Sequence, residues 1–255
     1  MDKIGITITM CNEVDYTRRC VESIKTSTPY VLILIDDFSI DGTKKWINSL
    51  FEEDLDSCME VVPVIDPDTN SLGQKWNLGA TIAKKAGCSA VLTCNNDILF
   101  HPNTIDAVVA RLDKAREAGE NVVLVTACNK RGETTPEGIF TFPIPEPSSE
   151  AESPDFSCFL LDLDAWEKVG KFSEDYKPCY FEDNDFHTML KIHNLKAINI
   201  TDAPYYHYGS ITQNQVPGGI CKPPQFEHNR HLYIKKFGAK PDEINLAELR
   251  RTFLK

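Results

Sequence analysis

Three carboxylates crowd into four positions at Glu182-Asp183-Asn184-Asp185, directly after two aromatic residues, Tyr180 and Phe181. Acids at the start of a helix satisfy free N–H groups and complement the helix dipole, which accounts for one or two of the three. A further one facing a pocket has another use. An Asp with an ordinary pKa of about 3.9 is ionised at neutral pH and can accept the proton of an alcohol. The segment Tyr205-Tyr206-His207-Tyr208 adds a histidine that is either a structural group or a metal ligand. Polar clusters also punctuate the first hundred residues: Thr9 to Glu13 (TMCNE), Asp36-Asp37-Phe38-Ser39 followed by Asp41-Gly42-Thr43, and Asn95-Asn96-Asp97. Gathered at one edge, such acids and amides can hold a base, a ribose and a metal-bound diphosphate. Each also has a plain structural use, since Asp41 can cap a helix beginning near Thr43 and Asp36-Asp37 can form a turn. Neither G-x-G-x-x-G nor G-x-x-x-x-G-K-[ST] is present, so a nucleotide needs another device than the usual dinucleotide loop or P-loop.

The elements that must position these clusters follow from periodicity. Short apolar runs at Ile4 to Met10, Val31 to Ile35, Val61 to Ile65, Ala90 to Cys94 and Val122 to Cys128 read as buried strands. Between them, Tyr16 to Ser27, Thr43 to Phe51, Leu72 to Ala86 and Pro102 to Ala118 have helical spacing, with Pro102 placed in a first turn. This alternation predicts an α/β fold with a mostly parallel central sheet and helices on both faces. Ligands of such sheets bind outside the carboxyl ends of the strands, where three of the polar clusters fall. The rhythm breaks after Cys128. Residues 131 to 155 carry five prolines and read as a long surface loop, a lid or an insertion, around a short strand near Ile139 to Phe142. Beyond it lie an apolar run at Phe159 to Leu163, a short helix near Asp164 to Val169, a helix from about Glu182 to His193, a strand at Lys196 to Ile200 and a basic helix at Glu227 to Phe237.

Composition narrows the class. The 255 residues carry a formal charge of −11, with 38 acids against 27 bases, which argues against nucleic acid as the main partner. No stretch approaches the roughly 20 apolar residues of a membrane span, and the first ten residues do not read as a signal peptide. Nine cysteines form no C-x-x-C pair, and several sit in apolar segments. They read as reduced core thiols of a cytoplasmic protein rather than as zinc ligands.

Taken in order, TMCNE, IDDFSIDGT, NSLGQKWNLG, TCNNDI, GKFSEDYKPCYFEDNDF and YYHYGS resemble the inverting family 2 glycosyltransferases of the GT-A fold, and within them the rhamnosyltransferase-like branch, where Asn-Asn-Asp replaces a stricter Asp-x-Asp. The likeness spans Ile4 to about Ser210, and NRHLYIKKFG at Asn229 to Gly238 resembles that branch's terminal helix. It implies a catalytic domain over 1–207, with a Rossmann-like nucleotide-sugar-binding half at 1–100 and an acceptor and catalytic half at 101–207, then a C-terminal tail at 208–255.

The resemblance also implies roles. Asp36 or Asp37 contacts the nucleoside with Thr9 and Glu13 nearby, and Asn95 and Asn96 belong to the nucleotide-sugar site. Asp97 and His207 hold a divalent metal, Mn²⁺ or Mg²⁺, with the imidazole favouring Mn²⁺. Asp183 is the general base and Glu182 a supporting acid or acceptor contact. The donor is expected to be a UDP- or dTDP-linked sugar, and the acceptor a glycan, a lipid-linked glycan or a protein, with an oligomer allowed. Where related chains have a Gly-Ala step before the acceptor helix, this one has Asp155-Phe156-Ser157-Cys158, so acceptor specificity does not carry over. Two other classes compete. A nucleotidyltransferase usually needs a basic loop near the first strand, whereas Cys11-Asn12-Glu13-Val14-Asp15 is acidic. A non-catalytic nucleotide- or carbohydrate-binding protein on the same scaffold fits Asn95-Asn96, but leaves Asp183 and His207 without a purpose.

Overall fold

Side chains alternate across a strand, and in the first half of the chain both faces are apolar. Ile4, Ile6, Ile8, Leu32 and Leu34 point into one core, while Val31, Ile33 and Ile35 point into the other. Helices therefore have to cover both sides of the sheet. The computed structural model describes residues 1–50, 60–130, 148–209, 211 and 219–254. In it β1 (Ile4–Met10), α1 (Val14–Glu22), β2 (Tyr30–Asp36), α2 (Thr43–Ser49), β3 (Glu60–Ile65), α3 (Leu72–Lys85) and β4 (Ala90–Asn95) follow in strict alternation. These four strands are all parallel, in the order β3-β2-β1-β4.

The chain continues through β5 (Ile98–Phe100), α4 (Thr104–Ala118), β6 (Val122–Asn129), β7 (Glu150–Ala151), β8 (Cys158–Asp162), α5 (Leu163–Lys168), α6 (Glu182–Ile192), β9 (Lys196–His207), α7 (Pro223–Phe237), a 3₁₀ turn at Pro241–Glu243 and α8 (Leu246–Phe253). The sheet extends as β4-β8-β6-β9-β5, with β7 also on β9. Here the parallel pattern gives way to a mixed one. β8 runs antiparallel to both β4 and β6, and β5 and β7 run antiparallel to β9, while β6 and β9 remain parallel. Among the described residues no helix lies between β6 and β8, so no βα crossover fixes the direction of β8.

Boundaries shift in informative ways. The strand expected at Lys196 to Ile200 continues to His207, and α4 starts at Thr104, past Pro102. The short strand expected near Ile139 to Phe142, and most of the 131–155 loop, lie outside the described residues. α3 packs tightly on β1: a Cβ added at Gly79 would meet Thr7 at 2.5 Å, and one at Gly5 would meet Ala83 at the same distance. α6, α7 and α8 share a third core built from Tyr176, Phe181, Ile192, Tyr233, Phe237 and Leu249. Among the described residues no helix is long and apolar enough to cross a membrane.

Candidate active site

Register brings the first three polar clusters together. Met10 lies opposite Asp36, and Thr9 lies opposite Asn95, so β1, β2 and β4 deliver their carboxyl ends to one edge. The loops beyond are stitched by side chains. Asn12 N–H donates to Ser39 Oγ (2.6 Å), Ile40 N–H to Asn12 Oδ1 (2.8 Å) and Val14 N–H to Asp41 Oδ2 (3.1 Å). Asp41 also accepts from the Thr43 N–H (2.9 Å) and hydroxyl (2.5 Å), so its carboxylate ties down two helix starts. Asp37 receives the Lys75 ammonium at 2.8 Å from the first turn of α3. Asp36 is fully buried, and that burial pushes its carboxyl above the ordinary range.

Asp97 meets His207 because of one short connection. β4 ends at Asn95, β5 resumes at Ile98, and Ile98 pairs antiparallel with His207. The residue before Ile98 is thereby set beside the imidazole: Nε2 of His207 lies 2.9 Å from Asp97 Oδ1 and 3.3 Å from Asn95 Nδ2. Asn96 also faces the cavity, but its amide donates to Thr17 Oγ1 (3.0 Å) and so ties α1 to the site. Among the described residues no cluster of three or more His, Cys, Asp and Glu side chains forms a metal site. Asp97 and His207 nonetheless offer one carboxylate oxygen and one imidazole nitrogen to the same point. That donor set would suit a divalent ion, and the nitrogen would suit Mn²⁺ better than Mg²⁺.

The three acids of α6 have three different environments. Asp185 is buried and accepts from Tyr176 Oη (2.8 Å) and Lys236 Nζ (2.7 Å), an anchor for the helix rather than a reactive group. Glu182 is 3% exposed, its Oε2 has no hydrogen-bond partner among the described residues, and desolvation followed by the neighbouring Asp183 charge pushes its carboxyl up to about 8. Glu182 is therefore mainly a neutral acid at pH 7. Asp183 is only half-buried by its surface. Desolvation raises it, while hydrogen bonds from backbone N–H groups, among them that of Asn184 (2.8 Å), work the other way. Ahead of the helix, Tyr180 and Phe181 both hold left-handed backbone, at φ 75° and 80°, a conformation rare for aromatic residues. The turn reaches α3, whose Leu72 N–H donates to the Pro178 carbonyl (2.9 Å).

Thr9, Asp37, Asn95, Asn96, Asp97, Glu182, Asp183 and His207 all line one cavity of about 410 Å³. Two expected residues do not: Asp36 lies beneath the edge, and Glu13 is turned into the helix start at φ 63°, where partial burial and then the charges of Asp41 and Asp15 raise its carboxyl. The cavity also holds residues the sequence reading left without a role. Lys75 sits against Asp37, and Asp155 accepts from Tyr205 Oη (2.8 Å). Trp76 and Phe156 line the cavity, and Trp76 is backed by the buried rings of Phe159 and Phe172. A lysine among the apolar positions of α3, in NSLGQKWNLG, is the signal that marks Lys75.

A family model described as Glycosyl transferase family 2 matches residues 6–162, more than half of the chain. The chain belongs to this family. Its fold recurs in solved glycosyltransferases. S. aureus TarS 1-349 is 16% identical with a TM-score of 0.60 over 96% of this chain and 68% of that one. GalNAc-T7 with UDP, GalNAc and Mn²⁺ is 13% identical with a TM-score of 0.68 over 98% of this chain. The mannosyltransferase PcManGT from Pyrobaculum calidifontis, in complex with GDP-Man and Mn²⁺, is 14% identical with a TM-score of 0.59 over 80%. This chain spans 53% and 56% of the latter two. At such identities the likeness is one of fold. No curated protein matches the chain in sequence. The family 2 glycosyltransferase described here is thus an α/β protein whose central sheet, flanked by helices, carries the cavity at its strand ends.

Proposed function

We propose that this family 2 glycosyltransferase moves a sugar from a nucleoside diphosphate donor to an acceptor hydroxyl with inversion at the anomeric carbon. The observation that carries the reading is the convergence of Asp97 and His207 with Asp183 and Glu182 on one cavity, from strand ends on one side and a helix start on the other. Thr9, Asp37 and Asn95 line the donor part, with Lys75 holding Asp37 in place. Asp97 and His207 would hold a divalent ion, which when bound neutralises charge on the departing diphosphate.

Asp183 takes the acceptor proton as the acceptor oxygen attacks the anomeric carbon. The new glycosidic bond forms as the carbon–phosphate oxygen bond breaks, and the diphosphate leaves with the electron pair. One displacement gives inversion. Glu182, neutral at pH 7 and with its Oε2 unpartnered among the described residues, would offer a hydrogen bond to the bound acceptor instead of acting as a second nucleophile. The motif order supports the rhamnosyltransferase-like branch and a UDP- or dTDP-linked donor, and the neighbours solved with UDP or GDP-Man and Mn²⁺ support a nucleotide sugar with a divalent ion. The acceptor is a glycan, a lipid-linked glycan or a protein. The eight cysteines among the described residues are all free, which supports a reducing compartment, the cytoplasm.

The test is nucleoside diphosphate release from a panel of nucleotide sugars and acceptors, with and without Mn²⁺. Wild type should turn over one donor, Asp97→Ala should lose the metal dependence, and Asp183→Asn should lose about 10² to 10⁴ in kcat while binding nucleotide normally. Wild-type rates in Asp183→Asn would remove the base, and failure of the wild type to bind any nucleotide would remove the function.

A further inference from the structure

Three polar residues on one stripe of α7 contact the segment that carries the base. Asn229, Tyr233 and Lys236 stand at i, i+4 and i+7, on a single helix face. Lys236 reaches both oxygens of Asp185 (2.8 and 2.7 Å), and the Tyr233 hydroxyl lies 2.6 Å from that of Thr188. Asn229 does something different: it grips the turn before α6. Fully buried, it accepts from the Lys177 N–H (3.3 Å) and donates to the carbonyls of Lys177 (3.2 Å), Cys179 (2.9 Å) and Tyr180 (3.3 Å). Its two amide hydrogens thus serve three backbone carbonyls that an unconstrained turn would present to water.

The gripped turn is also the strained one. Tyr180 and Phe181 sit at positive φ, a conformation that persists only where the surroundings over-determine it. Those two residues decide the direction in which Glu182 and Asp183 leave the turn. Cys179, Tyr180 and Asp183 all line the cavity, whereas Asn229 itself does not.

We infer that Asn229 is a positioning residue for glycosyl transfer: its side chain fixes the 177–181 turn so that the Asp183 carboxylate faces the acceptor hydroxyl. This inference rests on the assignment of Asp183 as base. It places part of the active site's precision in a helix that begins 40 residues after the base and is absent from the part of the chain matched by the family model. The turn, once released, relaxes toward ordinary backbone and carries the carboxylate with it. A displacement of about 1 Å is enough to cost on the order of 10²-fold in rate.

The experiment compares Asn229→Ala, Asn229→Asp and Tyr233→Phe in the full chain. Asn229→Asp keeps an acceptor for the Lys177 N–H but loses the donations to the carbonyls, and protection of β1 and β2 from exchange establishes that each variant is folded. Tyr233→Phe removes the Thr188 contact from the same helix face and serves as the structural control. Three readouts are taken: kcat for transfer, the Kd for UDP or dTDP with Mn²⁺, and hydrogen exchange of residues 177–183 without ligands. Both Asn229 variants should lower kcat at least tenfold, leave the Kd within twofold, and speed exchange at 177–183 while β1 and β2 stay protected. Tyr233→Phe should lower the melting temperature with kcat within twofold.

A folded Asn229 variant with near wild-type kcat and faster exchange at the turn overturns the inference and leaves the reaction standing. Unchanged exchange at the turn overturns the clamp itself. A Kd that rises as far as kcat falls makes Asn229 a general structural residue and overturns its positioning role. A wild type that releases no nucleoside diphosphate overturns the reaction, and the inference falls with it.

Discussion

Glu182 sets a measurable pH dependence of stability. Its carboxyl stands at about 8 in the folded protein against an ordinary 4.5, because burial removes it from water and Asp183 lies next in the chain. A raised carboxyl means that the folded chain binds more protons than the unfolded one between these two values, so stability falls as pH rises through the window. Below 4.5 both states keep the proton, and above 8 neither does. At about 1.4 kcal/mol per pH unit, the whole interval corresponds to about 5 kcal/mol, most of which falls between pH 5 and pH 8. Glu182→Gln keeps the shape and removes the titration. With a urea dependence of about 3 kcal/mol per molar for a chain of this size, the wild-type midpoint should drop by about 1 M more than the variant's on going from pH 5 to pH 8. Urea titrations at the two pH values measure this directly. Equal drops in wild type and variant would show that Glu182 ionises without penalty and refute the account of its environment.

Other perturbations have equally direct readouts. Gly79→Ala gains about 1 kcal/mol of helix propensity but drives a Cβ to within 2.5 Å of Thr7, so a net loss of about 1 to 2 kcal/mol is expected by thermal or urea unfolding. Lys75→Met strips Asp37 of its ion pair at the donor edge, and the KM for the nucleotide sugar should rise about tenfold with kcat changed less, in steady-state kinetics. His207→Ala leaves Asp97 as the one remaining member of the proposed metal pair. Any preference for Mn²⁺ over Mg²⁺ in nucleotide binding, measured by calorimetry, should shrink toward none.

Much of the fold was legible because local pattern and tertiary role agree. The runs at Ile4–Met10 and Tyr30–Asp36 are buried on both faces, so they read as continuous apolar strands, and their polar ends mark the cavity edge. The second half was less so. β8 is as apolar as β4, and nothing in Cys158–Asp162 itself records that it enters the sheet antiparallel. His207 was legible as a candidate, but the strand that delivers it was read as ending at Ile200, because Thr201-Asp202-Ala203-Pro204 breaks the apolar run. Asp36 and Asp37 could not be separated by sequence. One side chain of each adjacent pair in a strand end goes under the sheet, and register alone chooses which. The 182–185 acids were likewise separable only by their partners: Tyr176, just before the helix, and Lys236, far along the chain, both claim Asp185.

The first turn of α3 touches both sides of the cavity. Leu72 binds the Pro178 carbonyl, a Cβ on Gly73 would strike the Ser173 carbonyl, and Lys75 pairs with Asp37. Chimeras that exchange the first hundred residues between homologues to recombine donor and acceptor preferences therefore open a seam at 72–75 against 173–178. A graft that carries both sides of that seam keeps it closed, whereas one that carries only the N-terminal half imports a foreign surface beneath the turn that leads into Glu182 and Asp183.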